Sequence, residues 1–428
     1  MTQRYDTYKD SGVQWLGEIP GHWECTSLGR VLCEKLQYGA SESGDLEYTN
    51  DSMRYIRITD ITLDGKLKKD CCKYLSSEIG KNYPVRKGDV LLARSGATVG
   101  KAFIYNEDNE ACYAGYLIKA SIQQDKVFPT FFFYFTQTFQ YNEWKNRIFI
   151  QATIQNISAE KYTRMKLCIP PLSEQHSIVS YLDAKCGKID EWVTKKQKEV
   201  EHLQELKQRV IADAVTRGLN PHVKMKTTNI PWLKEIPEHW EMRKMKYLFD
   251  ERSEKNHPDE PMLSATQSEG VILQSKYQGR VVVVNTGFEG LKLVKDGDFV
   301  IHLRSFQGGI EYAYDRGIIS AAYTILNPKY PEFSAYYKRL FKSSSFIDLL
   351  KICVTGIREG QNINYSKLKQ FSIPVPPLSE QKQIVSYLDA KTSKIDKLIA
   401  NITKEIECIK EYKQRLISDV VTGQIKVC

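Results

Sequence analysis

Residues Pro170 to Asp190 read PPLSEQHSIVSYLDAKCGKID, and residues Pro376 to Asp396 read PPLSEQKQIVSYLDAKTSKID. The two stretches lie 206 residues apart and agree at 17 of 21 positions. The same register runs on without a gap to KQRVIADAVT from Lys207 and KQRLISDVVT from Lys413. A second repeat stands earlier in each half, WLGEIPGHWE from Trp15 and WLKEIPEHWE from Trp232. Between these anchors the halves share little. The chain therefore reads as a variable unit and a repeated unit, twice over.

The repeated units are helical by pattern. Pro171 and Pro377 stop what precedes them, and Ser173 and Ser379 are placed as N-caps with an acid in the first turn. In the second copy the seam runs Ile395, Ile399, Ile402, Ile406, Ile409, Lys413, Leu416, Val420. In the first it runs Ile189, Val193, Lys196, Val200, Leu203, Lys207, Val210, Ala214. Alternating steps of four and three are a heptad seam. Neither helix can bury its stripe alone, so the two are expected to pack together as a rod of roughly 66 Å, about 44 residues at 1.5 Å each. An antiparallel pair would carry the variable units at opposite ends, and a parallel pair would carry both at one end.

The variable units are mixed. Tyr55–Gly65, Lys87–Gly96 and Tyr116–Ile122 read as strands, and TFFFYFTQTFQYNEWKN from Thr130 as one amphipathic helix. In the second unit VVVVNTG from Val281, DGDFVIHLRSF from Asp296 and AAYTILN from Ala321 are strand-like, and FSAYYKRLFKSSSFIDLLKIC from Phe333 is the matching helix. Fold class is thus α+β, internally duplicated. The boundaries are 1–170 and 219–376 for the mixed domains, and 171–218 and 377–428 for the repeated helices.

The chain has 428 residues, 42% hydrophobic and 26% charged, which is globular composition and excludes a disordered or collagenous chain. No stretch approaches 18 consecutive apolar residues, and no apolar h-region follows Met1, so no membrane span and a cytoplasmic location are expected. The ten cysteines form no C-x-x-C pair and read as free thiols. The net charge is +9, with excesses of +2, 0, +5 and +2 in the four segments, compatible with a polyanion partner but weak as an argument.

No catalytic constellation emerges. SGATVGKA from Ser95 has three residues between its glycines instead of four, and Ala102 stands where a phosphate loop needs Ser or Thr. NPKY at Asn327 lacks the second Pro of an adenine-methylase tetrapeptide, and HPDE at His257 has no nuclease partner downstream. His22 and His239 recur beside Trp23 and Trp240, a repetition that looks architectural. No cofactor and no metal are expected.

Two IPxHWE motifs, two PPLSEQ-headed helices and two divergent domains between them resemble the specificity subunit of type I restriction–modification systems, over essentially the whole chain. The resemblance implies two target-recognition domains, each reading one half of a bipartite, asymmetric site in double-stranded DNA. It implies an antiparallel helix pair that spaces them and docks two copies of the methyltransferase subunit, and restriction/translocase subunits that join this core. It implies a non-catalytic chain. A protein-only scaffold and a self-contained methylase or nuclease with a degenerate site are the competing readings.

On this reading Arg would discriminate guanine, and Asn or Gln adenine. The candidates in the first domain are Arg94, Ser95, Thr98 and Lys101 on the loop after Gly88, with Gln155 and Asn156. In the second they are Arg304, Ser305 and Gln307 on the loop after Gly297, with Gln361 and Asn362. Arg54 and Arg57 could touch phosphate or pair with Asp60 or Asp89. Tyr181, Leu182, Tyr387 and Leu388, in the two copies of IVSYLDAK, are the expected docking residues for the methyltransferase subunits.

Overall fold

The structure is a computed structural model that describes residues 3–427 except 45–46, 63–66, 69, 71, 97, 151–154, 280–286 and 356–361. The chain divides into two compact units: residues 1–196 with 404–428, and residues 197–403. Both repeated segments are long single helices, Leu172–Arg217 of 46 residues and Leu378–Val421 of 44. Each unit takes half of each helix. The helices begin one residue before the expected caps, so Ser173 and Ser379 lie inside the first turn.

The seam faces inward as the heptads require. Ile395, Ile402, Ile406, Leu416 and Val420 are buried, and so are Val193 and Ala214. Leu203, Val200 and Val210 are half-buried. The two seam lysines that repeat, Lys207 and Lys413, find equivalent partners. In the first unit Lys413 Nζ lies 2.6 Å from Asp190 Oδ1, and in the second Lys207 Nζ lies 2.6 Å from Asp396 Oδ1. As the first helix's number rises from 190 to 207, its partner's falls from 413 to 396, the signature of antiparallel pairing. Both ion pairs are partly exposed and contribute at most about 1 kcal/mol each. Each fully buried seam aliphatic is worth about 1.5–3 kcal/mol. The stripe therefore supplies the energy, and the lysines mark the register.

The helix ends are built into the domain cores. The first unit's core holds Ile178 and Leu182 from the start of the first helix, and Leu416, Ile417, Val420 and Val421 from the end of the second. The second unit's core holds Ile384 and Leu388, with Ala214 and Val215 in the corresponding places. Tyr336 Oη donates to Val215 O at 2.6 Å. In the first unit Phe139 N–H donates to Ser418 Oγ at 3.0 Å.

The HWE and SEQ repeats meet. Trp23 Nε1–H donates to Glu174 Oε1 at 3.1 Å, and His22 Nε2 stands 2.8 Å from Glu174 Oε2. Trp240 and His239 meet Glu380 in the same way, at 2.9 and 2.8 Å. The repeated His–Trp pairs are thus architectural. Glu174 also accepts from Tyr5 Oη. Gln175 and Gln381 each return Nε2–H to the carbonyl of Pro170 and Pro376 at 2.8 Å.

Among the described residues the first mixed domain carries two four-stranded sheets, built on Ser52–Ile56 and on Val90–Ala93, and the second carries one on Phe299–Ile301. The strand at Lys166–Ile169 pairs with Glu24–Ser27, and Ser372–Val375 pairs with Glu241–Lys244, so each domain is closed just before its helix leaves. The single helix expected in each domain is two: Pro129–Phe135 then Phe139–Ile150, and Ser334–Leu340 then Ser344–Ile352. Local capping breaks them. Thr138 Oγ1 accepts Tyr141 N–H at 3.1 Å and donates to Phe135 O, and Ser343 Oγ does the same with Phe346 and Leu340. The expected strand at 281–287 falls almost wholly outside the described residues.

Removing the Glu174 carboxylate takes the acceptor from the buried Trp23 indole, which costs about 1–3 kcal/mol, and one hydrogen bond from the Tyr5 hydroxyl, worth about 1 kcal/mol more. Glu380 serves fewer donors and is more exposed. Glu174→Ala is therefore expected to lower the urea midpoint more than Glu380→Ala, by about 1 kcal/mol or more in stability. Equal losses would show that Tyr5 adds nothing.

Candidate nucleic-acid interface

In the first domain the strands Val90–Ala93 and Ala102–Ile104 pair antiparallel, with Leu92 opposite Ala102, and the loop Arg94–Lys101 caps them. Gly100 N–H donates to Ala93 O at 2.7 Å and Ala93 N–H to Lys101 O at 2.8 Å, closing its base. Gly100 has φ +78°, a left-handed backbone conformation that glycine adopts without strain. Desolvation pushes the Lys145 amine below the usual lysine value.

Two buried phenols hold this loop from beneath. Tyr141 Oη donates to Gly100 O at 2.8 Å, and Tyr162 Oη to Ala93 O at 3.3 Å. Burial raises both well above the ordinary tyrosine pKa, so they remain donors at any physiological pH.

The sequence-distant candidates of this domain come together. Ser95 and Asn156 form an antiparallel bridge, and Ile157 N–H donates to Arg94 O at 2.8 Å. Arg94 N–H donates to Tyr116 O at 3.0 Å, and the guanidinium lies 4.7 Å from the Tyr38 ring centroid. Tyr38 Oη in turn accepts Ala159 N–H at 3.0 Å. Arg94 Nε and Asn156 Oδ1 are buried with no hydrogen-bond partner among the described residues. Gln155 is exposed, and Thr98 is half-buried. Lys101 Nζ donates to Thr62 O, so its amine is engaged within the domain. Arg57 pairs with Asp60 at 2.8 Å, the expected ion pair, whereas Arg54 pairs with Glu107 at 3.4 Å, neither of the expected acids.

The second domain holds its loop differently. Phe299–Ile301 pairs with Glu311–Tyr312, and between them Ser305–Gly308 winds into one helical turn. Ser305 is 0% exposed and its Oγ accepts His302 N–H at 2.9 Å. That corrects its expected place among the DNA contacts: the hydroxyl is consumed in closing the turn. Arg304 N–H donates to His302 Nδ1 at 3.2 Å. Arg304 and Gln307 point outward and are exposed, as is Leu303. Gly309, at φ +87°, brings the backbone so close to Phe341 O that a Cβ would lie 2.1 Å away.

Below this turn Glu311 is 0% exposed and accepts Lys342 Nζ at 2.5 Å. The same amine donates to Gly308 O at 3.0 Å, and His302 Nε2 stands 3.6 Å from Glu311 Oε1. The turn's C-terminal end is thereby strapped, through Lys342, to a buried carboxylate. Asp298, at the strand's start, is held above the ordinary aspartate value by burial, against the pull of Arg252 at 2.9 Å. Gln361 lies outside the described residues. Asn362 is on a two-residue strand paired with Val354–Thr355.

Of the expected docking residues, Leu182 and Leu388 are 0% and 1% exposed and belong to the two cores, which corrects their assignment to a partner surface. Their tyrosine neighbours remain accessible. Tyr181 is half-buried with Lys185 Nζ 5.7 Å from its ring, and Tyr387 is exposed with Lys391 Nζ at 5.8 Å.

Tyr38, Tyr141, Tyr162, Glu311 and Lys342 escaped the sequence reading. Nothing in the spacing of these residues ties them to loops tens of residues away. Among the described residues there is no His/Cys/Asp/Glu group that could hold a metal ion, and no helix is long and apolar enough to cross a membrane.

Fold and site together define a duplicated protein in which each of two divergent domains presents a braced loop bearing an arginine. The family model for the type I restriction modification DNA specificity domain matches residues 20–202 and again 233–408. The chain belongs to that family. It is 27% identical over 431 residues to the putative type I restriction enzyme MjaX specificity subunit of Methanocaldococcus jannaschii, covering 96% of each chain. It is 21% identical to the type I restriction enzyme EcoBI specificity subunit of Escherichia coli, over 90% of this chain and 83% of that one. Its fold matches a chain from a solved structure that concerns complex assembly and conformational transition of the type I R-M system. The TM-score is 0.68 at 17% identity, over 94% of this chain and 98% of that one.

Glu311→Ala would leave Lys342 facing a buried void. Because Lys342 is part-exposed, the loss should fall below the 3–5 kcal/mol of a fully buried pair, at about 2 kcal/mol. Tyr141→Phe, which removes one neutral donor, should cost about 1 kcal/mol. Urea denaturation of the two variants checks the order.

Proposed function

We propose that this chain is the DNA sequence-specificity subunit of a type I restriction–modification complex. The observation that carries the reading is the duplication itself: two domains unlike in sequence, each locked by the same Trp–His–Glu clamp to the same helix pair. A device that must read two different short sequences needs a constant frame and two variable readers. Each domain reads one half of a bipartite, asymmetric site in double-stranded DNA, and the paired helices determine how much unread DNA lies between the halves.

The contact patches are the two braced loops. In the first domain Arg94, Ser95, Thr98 and Lys101 join Gln155 and Asn156. In the second, Arg304 and Gln307 are accompanied by Gln361 and Asn362. Grip on phosphate through Lys and Arg gives the affinity and its salt dependence, and contacts to base edges give the choice of site. Tyr181 and Tyr387 mark equivalent surfaces for two copies of the methyltransferase subunit, and restriction/translocase subunits complete the assembly. Methylation of a duplex adenine requires the base to leave the stack for the partner's pocket. This chain positions that event and performs no chemistry itself. It acts in the cytoplasm, where the DNA is.

Exchange of residues 1–170 for the corresponding segment of another specificity subunit tests the reading, with N6-methyladenine mapped across the host genome. One half of the methylated motif is expected to change and the other to persist. Change in both halves or in neither would defeat the two-reader model, and a complex with no DNA sequence preference would favour a protein-only scaffold.

A further inference from the structure

The duplication provides an internal comparison at the reading loops. Across two otherwise divergent domains, Gly88-Asp89 is followed by Arg94-Ser95, and Gly297-Asp298 by Arg304-Ser305. The aspartates have a local task. Asp89 Oδ2 accepts Arg86 N–H at 2.7 Å, and Asp298 Oδ2 accepts Lys295 N–H at 2.8 Å, closing the same tight turn with a buried side chain. The serines have local backbone tasks too, in the bridge to Asn156 and in the turn at His302.

The arginines are not spent on a carboxylate. Arg57, Arg252 and Arg316 each pair with a carboxylate. Among the described residues neither Arg94 nor Arg304 has a carboxylate within ion-pair distance. Arg94 is laid on the Tyr38 ring, and its Nε is buried with no hydrogen-bond partner among the described residues. Arg304 is exposed and follows one residue later in the loop, after Leu303. A charge kept on both readers, and neutralised in neither, answers to something both half-sites have in common. Two half-sites of different sequence have the phosphate backbone in common, not a base.

We propose that Arg94 and Arg304 grip DNA phosphates and carry no sequence information, and that base reading falls to loop residues the two domains do not share. Those are Thr98 in the first domain, and Leu303 and Gln307 in the second. Gln307 is an exposed amide suited to adenine, and Leu303 is an exposed apolar side chain suited to a thymine methyl. The inference rests on the DNA-specificity reading above and sorts its contacts into positioning and readout.

The test uses the full-length chain assembled with its methyltransferase subunits, carrying Arg94→Ala, Arg304→Ala, or Lys at either place. Each assembly is titrated with a duplex containing the methylated motif and with a scrambled duplex of equal composition, over a range of salt. Each Ala variant is expected to weaken both duplexes by the same factor, about tenfold. The slope of log affinity against log salt should fall by about 0.9, the mark of one lost phosphate contact. The Lys variants should keep the slope, and the genomic methylation motif should stay unchanged in all four. Arg94→Gln, which keeps a long side chain near Tyr38 without the charge, should behave as Arg94→Ala does and serves if that variant fails to fold. Loss of discrimination at one base pair, with scrambled-duplex binding unchanged, would make the arginine a base reader and overturn the proposal. If the unsubstituted assembly cannot tell the two duplexes apart, the specificity reading itself fails, and this inference with it.

Discussion

An apolar stripe forty residues long cannot face water, and that constraint shapes the whole chain. Each helix needs the other, and the antiparallel solution gives each unit the start of one and the end of the other. Lys413 and Asp190 in one unit, and Lys207 and Asp396 in the other, are the same pair related by the repeat. Because the cores also take in Leu416 and Val420 on one side and Val210 and Ala214 on the other, a domain and its helices form one packing problem. Cooperative burial of this kind makes a frame stiff, since packed interiors deform little.

On that frame the two domains solve one mechanical task with different chemistry. The first braces its loop with neutral phenols, Tyr141 and Tyr162, beneath a glycine-hinged hairpin. The second straps a helical turn to the buried Glu311–Lys342 pair. Neutral donors hold geometry without a desolvated charge. A buried ion pair demands more exact surroundings and loses more when one partner is removed. Loops held from below can differ freely above, which suits domains that are to read different sequences.

The heptad seam, its repeated Lys207 and Lys413 and the duplicated architecture were legible because they are periodic, and periodicity survives without knowledge of contacts. The joining of Ser95 to Asn156 was foreshadowed only in that both segments drew attention separately. The helix breaks at Thr138 and Ser343 were hidden, since a hydroxyl inside an aromatic run reads equally well as a helix position or a cap. Leu182 and Leu388 looked like surface candidates because repetition marks a docking face and a core position alike. Ser305 failed for a related reason: polar identity says nothing about whether the hydroxyl meets solvent or a backbone N–H.

The amino-acid order alone therefore determined the repeat, the helices, the α+β character of the variable units and the family resemblance, all of which depend on local pattern. Only the tertiary structure decided which side chains share a site. It set Glu174 among Trp23, His22 and Tyr5, laid Arg94 on Tyr38, and placed Glu311 under the turn that carries Arg304. Those meetings bring together residues far apart along the chain, and their energies depend on burial and distance, which no one-dimensional spacing encodes.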